Sequence, residues 1–141
     1  MLQFHDDGSL TVMASSDPHA RHVETIRADG RKPSVLIVED DVIVAIDLEL
    51  AFEDAGFEII GPAAREDEAL ELIERHRPDF AALDWNLRSG TSASVAEALG
   101  RIGTRFVFVT GTDSDMSYDG PSAAVISKPA DPRHVMAALA A

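Results

Sequence analysis

The chain has 141 residues, no cysteine and a net charge of −13, from 25 acidic residues against 12 lysines and arginines. A chain of this length can bury one hydrophobic core, and the lack of cysteine excludes a disulfide framework, a thiol nucleophile and a cysteine-ligated zinc site. The excess of acid argues against nucleic acid as a partner, because binding to the phosphate backbone requires clustered lysine and arginine.

The N-terminal part differs in character from the rest of the chain. Residues 1–33 show no sustained periodicity and are nearly neutral, which predicts an extension with a short helix around Val23 to Ala28. No apolar run is long enough to span a bilayer, and no basic-then-apolar signal pattern opens the chain. We therefore expect a cytoplasmic protein with no membrane partner, made of an extension (1–33) and one domain (34–141).

From Ser34 onward, short β-branched apolar runs alternate with segments of helical periodicity. This alternation is typical of an α/β fold, a doubly wound parallel sheet covered by helices on both faces. The runs predict strands at 34–38, 57–63, 79–84, 105–111 and 123–127, and helices at 42–56, 65–78, 92–102 and 131–141.

One position in the alternation lacks its helix. The segment between the fourth and fifth strands, 112–122, reads TDSDMSYDGPS and is dominated by Asp, Ser, Gly and Pro. These residues favour turns, so we expect a loop and a degenerate fourth helix.

Polar residues stand where the predicted strands end. Glu39 and Asp40 follow the first strand and Asp84 the third, Thr110 closes the fourth, and Lys128 follows the fifth. The carboxyl ends of parallel strands meet at one edge of a sheet, so these side chains should converge. Oxygen ligands of this kind suit Mg²⁺, and a positioned carboxylate can act as a nucleophile toward phosphorus.

Each of these residues has a simpler interpretation when taken alone. A strand-end aspartate is more often a helix cap or turn residue, a Lys-Pro pair is usually a turn, and a strand-end threonine is usually structural. Their appearance at successive strand ends, around Lys128 as the one lysine after residue 33, favours a site instead.

The segments VLIVEDD, ALDWNL, FVFVTG and ISKP resemble the signature segments of response-regulator receiver domains from bacterial two-component signalling. The resemblance covers about residues 34–141. It implies a flavodoxin-like (βα)5 fold with a five-stranded parallel sheet of strand order 2-1-3-4-5. It also implies that Asp84 is the phosphoacceptor.

The resemblance further implies a metal site for Mg²⁺ or Mn²⁺. Asp40, Asp84 and the backbone carbonyl of Asn86 would be ligands, and Glu39 would act more remotely, through a water molecule. Thr110 would be the switch hydroxyl and Lys128 the phosphate-binding lysine, preceding a cis peptide bond.

Two features depart from the common receiver pattern. Val125 stands where many receivers carry an aromatic residue that reports phosphorylation, and the fourth helix is eroded. Together with RFVFVTG, these features resemble the FAT GUY receivers, which work with histidine kinases of the HWE and HisKA2 types, often as single-domain regulators in stress or light responses. An order–disorder change in 112–122 could replace the aromatic switch. The chain ends eleven residues after Ala130, so we expect no output domain on that side.

The first helix carries two apolar arcs. Val44, Leu48, Ala51, Phe52 and Ala55 suit the core, whereas Ile43, Ile46 and Leu50 form a second arc rimmed by acids. We expect the second arc to dock a sensor histidine kinase or histidine phosphotransfer protein. It could instead be covered by the extension or form a dimer contact, and we expect a monomer or weak homodimer.

The predicted function is a phosphoacceptor signalling protein, not an enzyme beyond self-catalysed phosphotransfer and dephosphorylation. It would act by protein–protein interaction or as a phosphate sink. The alternative is a phosphorylation-independent interaction module, whose mark would be loss of Asp84, Thr110 or Lys128. A haloacid-dehalogenase-type phosphatase is disfavoured, because Asn86 stands where that family needs a second aspartate.

Overall fold

The computed structural model describes residues 30–111, 116, 118, 120 and 123–140 in full and residues 2–4, 10–12 and 25–26 as backbone. Within this part of the chain, the secondary structure consists of ten strands and four helices. The strands are β1 Leu2–Phe4, β2 Leu10–Val12, β3 Thr25–Ile26, β4 Ser34–Val38, β5 Glu58–Ala63, β6 Phe80–Leu83, β7 Asn86–Leu87, β8 Gly90–Thr91, β9 Arg105–Thr110 and β10 Ala124–Ser127. The helices are α1 Val42–Asp54, α2 Glu66–His76, α3 Ala93–Arg101 and α4 Pro132–Ala140.

The main sheet has five parallel strands in the order β5-β4-β6-β9-β10. Numbered by their sequence order within this sheet, the strands run 2-1-3-4-5, so the predicted flavodoxin-like topology is confirmed. The central strands β4 and β6 are buried along almost their whole length, because helices cover both faces of the sheet. A short antiparallel hairpin, β7–β8, follows β6.

The helices divide the core into two clusters, one on each face of the sheet. Buried residues of α2 and α3 pack on one face, and those of α1 and α4 pack on the other. Two helix ends show local capping. Gly56 closes α1 with a φ of +91° and donates its N–H to the Glu53 carbonyl. The Asp131 carboxylate accepts the Arg133 N–H at the start of α4.

The segment between β9 and β10 contains no helix among its described residues, Met116, Tyr118 and Gly120. Met116 and Tyr118 pack against the core cluster on the α2–α3 face, so part of this segment fills the space of the missing helix. The hypothesis of an order–disorder change concerns 112–122, most of which lies outside the described residues.

The prediction of a short helix around Val23 to Ala28 is wrong at its described residues, Thr25–Ile26, which form β3. β3 pairs in parallel with β1, which also pairs antiparallel with β2. The two partners lie more than twenty residues apart in the sequence, and a local pattern carries no information on such pairing. β2 lies beside α4.

Among the described residues, no helix combines the length and apolar character needed to cross a membrane.

Gly61 should be indispensable to the pairing of β5 with β4. Its φ is +90°, and an added Cβ would lie 2.8 Å from the Ala63 nitrogen and 3.0 Å from the Ile37 carbonyl oxygen. We expect Gly61→Ala to lower the free energy of unfolding by about 3 kcal/mol or more, since backbone strain and a backbone clash add. Gly103 also has a positive φ, +73°, but has no atom within 4 Å of an added Cβ. Gly103→Ala should therefore cost only about 1 kcal/mol. Urea denaturation measures both losses, and equal losses would contradict the role of the clash.

Candidate functional site

Two buried carboxylates lie side by side at the carboxyl ends of the central strands. β4 and β6 pair with Val38 opposite Leu83, so Glu39 and Asp84, the next residues, are neighbours. The Asp84 N–H donates to the Val38 carbonyl at 2.8 Å. Glu39 is 3% exposed and Asp84 7%. Two buried carboxylates at adjacent strand ends require a compensating cation.

Lys128 supplies a cation to both carboxylates. Its Nζ donates to Glu39 Oε1 at 2.8 Å, to Glu39 Oε2 at 2.9 Å and to Asp84 Oδ2 at 3.1 Å. Its backbone N–H donates to the Thr110 carbonyl at 2.8 Å, which fixes the base of the side chain against β9. The Lys128–Pro129 peptide bond is cis, as the resemblance implies.

The titration of this cluster follows from burial and mutual charge. Burial raises the pKa of Glu39 from 4.5 to about 7, the hydrogen bond from Lys128 opposes this rise, and the charge of Asp84 adds to it. Burial lowers the pKa of Lys128, but the hydrogen bonds and charges of Glu39 and Asp84 together outweigh burial and raise it above its usual value. Lys128 is therefore fully charged at neutral pH.

Asp40 completes an acidic group that could hold a metal ion. One oxygen each from Glu39, Asp40 and Asp84 lie within 4.8 Å of one another. The Arg88 N–H donates to Asp40 Oδ2 at 2.9 Å and orients that carboxylate. The three acidic side chains outnumber the single Lys128 ammonium, and an oxygen-rich group of this kind suits a divalent cation.

The other predicted residues surround this group. Thr110 is buried at the end of β9, the strand beside β6. The Asn86 N–H donates to Asp84 Oδ1 at 3.3 Å, while the Asn86 side chain is exposed. Asp41, the third acid after β4, does not join the group. Its Oδ1 accepts the N–H groups of Ile43 and Val44 and caps α1.

The sequence reasoning missed two features of the site. It did not single out Arg88, which contacts Asp40 Oδ2 with its backbone N–H at 2.9 Å and with its side-chain Nε at 3.9 Å. The hydrogen bond from the backbone leaves no signal in residue type. It also did not assign a role to Trp85, whose buried ring follows Asp84 directly. The position of a large aromatic residue immediately after the candidate phosphoacceptor was the signal available.

A largely apolar cavity of about 440 Å³ opens beside the site, between α1 and the segment that follows β10. Ile43 of the second arc of α1 lines this cavity, and the whole arc is exposed: Ile43 by 80%, Leu50 by 61% and Ile46 by 48%. Among the described strands of the extension, β2 lies beside α4. The cavity is lined by Ile43, Val44, Asp47, Leu48, Val109, Lys128, Pro129 and Ala130.

Lys128→Met should test how strongly the ammonium holds the site together. The variant leaves Glu39 and Asp84 buried without a cation, which we expect to cost on the order of 3 kcal/mol of unfolding free energy in metal-free buffer. As a control, Arg101→Met breaks an exposed pair with Glu97 and should cost less than about 0.5 kcal/mol. Urea denaturation at about pH 8, above the Glu39 pKa, measures both. A loss for Lys128→Met no larger than that of the control would refute the role of the lysine.

Comparison with known families supports the same interpretation as the geometry. The family model of the response regulator receiver domain matches residues 35–140. These residues contain the whole five-stranded sheet except Ser34, the first residue of β4.

Two curated regulators are similar to the chain. The transcriptional regulatory protein PdtaR of Mycobacterium tuberculosis is 33% identical over 111 residues, which cover 74% of this chain and 54% of PdtaR. The phyllosphere-induced regulator PhyR of Methylorubrum extorquens is 31% identical over 110 residues, which cover 74% of this chain and 41% of PhyR. The chain thus spans about half the length of these relatives.

Solved structures share the fold. The response regulator PhyR from Brucella abortus superposes with a TM-score of 0.67 at 27% identity, covering 77% of this chain and 46% of that one. A response regulator receiver protein from Sinorhizobium medicae superposes with a TM-score of 0.69 at 20% identity, covering 77% and 91%. The sequence match, the fold and the strand-end cluster agree, and the chain belongs to the family of response-regulator receiver domains.

Proposed function

We propose that this receiver accepts a phosphoryl group on Asp84 from the phosphohistidine of a sensor histidine kinase or a histidine phosphotransfer protein. The observation that carries the proposal is the Lys128 ammonium, which bridges the buried carboxylates of Glu39 and Asp84. The protein would signal by protein–protein interaction or drain phosphate from its kinase.

Each residue of the site has a task in this transfer. An Asp84 carboxylate oxygen attacks phosphorus, the phosphorus–nitrogen bond of the donor breaks, and the histidine leaves with the electron pair. The Asn86 N–H and Lys128 hold the two Asp84 oxygens in place before the attack. Lys128 then pairs with a phosphoryl oxygen, and the Thr110 hydroxyl donates to another. The protein is not an enzyme in the ordinary sense, because the only reactions are on its own aspartate.

The residues fit a bound Mg²⁺ or Mn²⁺. The acidic group has three carboxyl groups against the one ammonium of Lys128, and its members offer oxygen ligands. Asp40, Asp84 and the Asn86 carbonyl would hold the ion, with Glu39 acting through a water molecule. The ion would supply positive charge at the phosphoryl oxygens during transfer.

The finer assignment follows from the motifs. RFVFVTG, Val125 and the missing fourth helix support a FAT GUY receiver that works with an HWE or HisKA2 kinase in a stress or light response. We place the receiver at 34–141, behind an extension at 1–33, and in the cytoplasm.

The exposed arc of α1 is the proposed docking face for the kinase. Ile43 lines the apolar cavity that reaches Lys128, and Ile46 and Leu50 are exposed on the same helix. Exposed acids, among them Asp47 and Asp54, flank the arc. An apolar patch with a charged rim suits a transient interface, and its position beside Asp84 would bring a partner histidine to the phosphoacceptor.

Phosphotransfer from autophosphorylated HWE-type kinases with Mg²⁺ tests the site directly. We expect rapid labelling of the wild-type protein and none of Asp84→Ala, because the attacking oxygen is gone. Glu74→Ala removes an exposed carboxylate on α2 and should be labelled like wild type. Absence of label in wild type with every kinase and with small phosphodonors would favour a phosphorylation-independent interaction module.

The docking face can be tested separately from the chemistry. Ile46→Asp places a charge in the arc and should lower kcat/KM for transfer from the kinase about tenfold or more, since a buried unpaired charge weakens an interface. Val125→Asp is the matched control, because Val125 is 55% exposed and lies on the edge strand β10. The control should change the rate by less than about twofold. Both variants should react normally with a small phosphodonor, and an unaffected kinase reaction in Ile46→Asp would sink the docking proposal.

A further inference from the structure

An aromatic cluster lies directly behind the phosphoacceptor. Trp85 follows Asp84, and its ring meets the ring of Phe108 edge to face at a centroid distance of 5.6 Å. Tyr118 contacts both rings edge to face, Trp85 at 5.7 Å and Phe108 at 4.9 Å. Contacts of this geometry are favourable beyond the area that they bury. Burial also raises the pKa of the Tyr118 phenol.

Tyr118 belongs to the segment that takes the place of the fourth helix. The other two aromatic residues of this triangle lie on β9 or directly after β6, so Tyr118 is the aromatic residue that joins the described part of this segment to the site. Its ring lies over Gly120, where an added Cβ would come within 2.6 Å of the Tyr118 hydroxyl oxygen. The glycine therefore leaves the space that the docked ring occupies.

The cluster also contacts both strand ends that would change on phosphorylation. Trp85 directly follows Asp84 in the chain, at the end of β6. Phe108 stands two residues before Thr110 on β9, so both side chains lie on the same face of that strand. Phe108 and Tyr118 accordingly pack in the cluster of the α2–α3 face, whereas Val107 and Val109 pack on the opposite face.

We propose that Tyr118 is a positioning residue that couples the segment between β9 and β10 to the chemical state of Asp84 through Trp85 and Phe108. This inference rests on the proposed phosphorylation of Asp84 and goes beyond it. When Thr110 moves toward a phosphoryl group, the end of β9 moves with it, and the close-packed contact of Phe108 with Tyr118 must rearrange. The Tyr118 ring then presents a different surface to a partner.

Coupling of this kind is reciprocal. If phosphorylation changes the docking of Tyr118, then a change that undocks Tyr118 must alter the stability of the phosphorylated state by the same free energy. Val125, on the edge strand, is exposed and belongs to neither core cluster of the described residues.

The chain contains one tyrosine and one tryptophan, so fluorotyrosine labels residue 118 alone and fluorotryptophan labels residue 85 alone. Fluorine NMR of the full chain should show the Tyr118 signal move when Mg²⁺ and beryllofluoride, a phosphoryl mimic on carboxylates, are added. Gly120→Ala, which forces the ring to move, should shift the Tyr118 signal before any addition. The same variant and Tyr118→Leu should change the affinity for beryllofluoride about fivefold or more. Gly103→Ala, with open space around its Cβ, should change it by less than about twofold.

The outcomes separate the two proposals. Intact-protein mass after reaction with a small phosphodonor reports whether Asp84 is phosphorylated. If the protein is phosphorylated but the Tyr118 signal does not move, and both variants keep the wild-type affinity for beryllofluoride, the coupling is refuted. The proposed role of Asp84 as phosphoacceptor would then still hold. A protein that gains no phosphoryl group and binds no beryllofluoride would overturn both.

Discussion

The ion pair between Lys128 and two buried carboxylates is the constraint on which the site depends. Glu39 and Asp84 occupy adjacent strand ends because β4 and β6 pair in parallel register, and neither carboxylate has access to much water. Coulomb repulsion between them is strong at low dielectric, so the fold requires a cation at this point. A lysine on the edge side of the sheet can reach them only by extending across the end of β9. The ammonium is a compact charge that can contact three oxygens at once, which a planar guanidinium does less readily.

This constraint explains why so much of the site was visible in the sequence. In a parallel sheet, the residue after each apolar run is placed at the same edge, so strand order and strand ends together predict which side chains meet. Glu39, Asp84, Thr110 and Lys128 were found in this way. Asp41 shows the limit of the method, since three consecutive acids follow β4 and only the geometry of α1 reveals that the last one caps the helix. Hydrogen bonds donated by backbone groups, such as that of the Arg88 N–H to Asp40, have no signature in residue type.

The errors and omissions share a physical cause, which is dependence on non-local contacts. The segment at Thr25–Ile26 forms a strand because β1 is available to pair with it, and short strands follow their partners more than their own propensity. The two arcs of α1 show the opposite case. Helical periodicity assigned the sides correctly, and the burial of Leu48 and Phe52 against the exposure of Ile43 and Ile46 agrees with it. What covers the exposed arc in the cell is a property of a partner, and no intrachain pattern encodes it.

The aromatic triangle behind Asp84 follows from the loss of the fourth helix. A helix in that position would cover the α2–α3 face with a continuous apolar side, but a segment rich in Asp, Ser and Gly can cover it only with its few large residues. Met116 and Tyr118 do so, and Tyr118 reaches the ring that follows the phosphoacceptor. A single docked ring is held by fewer contacts than a packed helix, so a smaller change in free energy displaces it. Tyr118 is therefore the described residue of this segment that is best placed to respond to a change at Asp84.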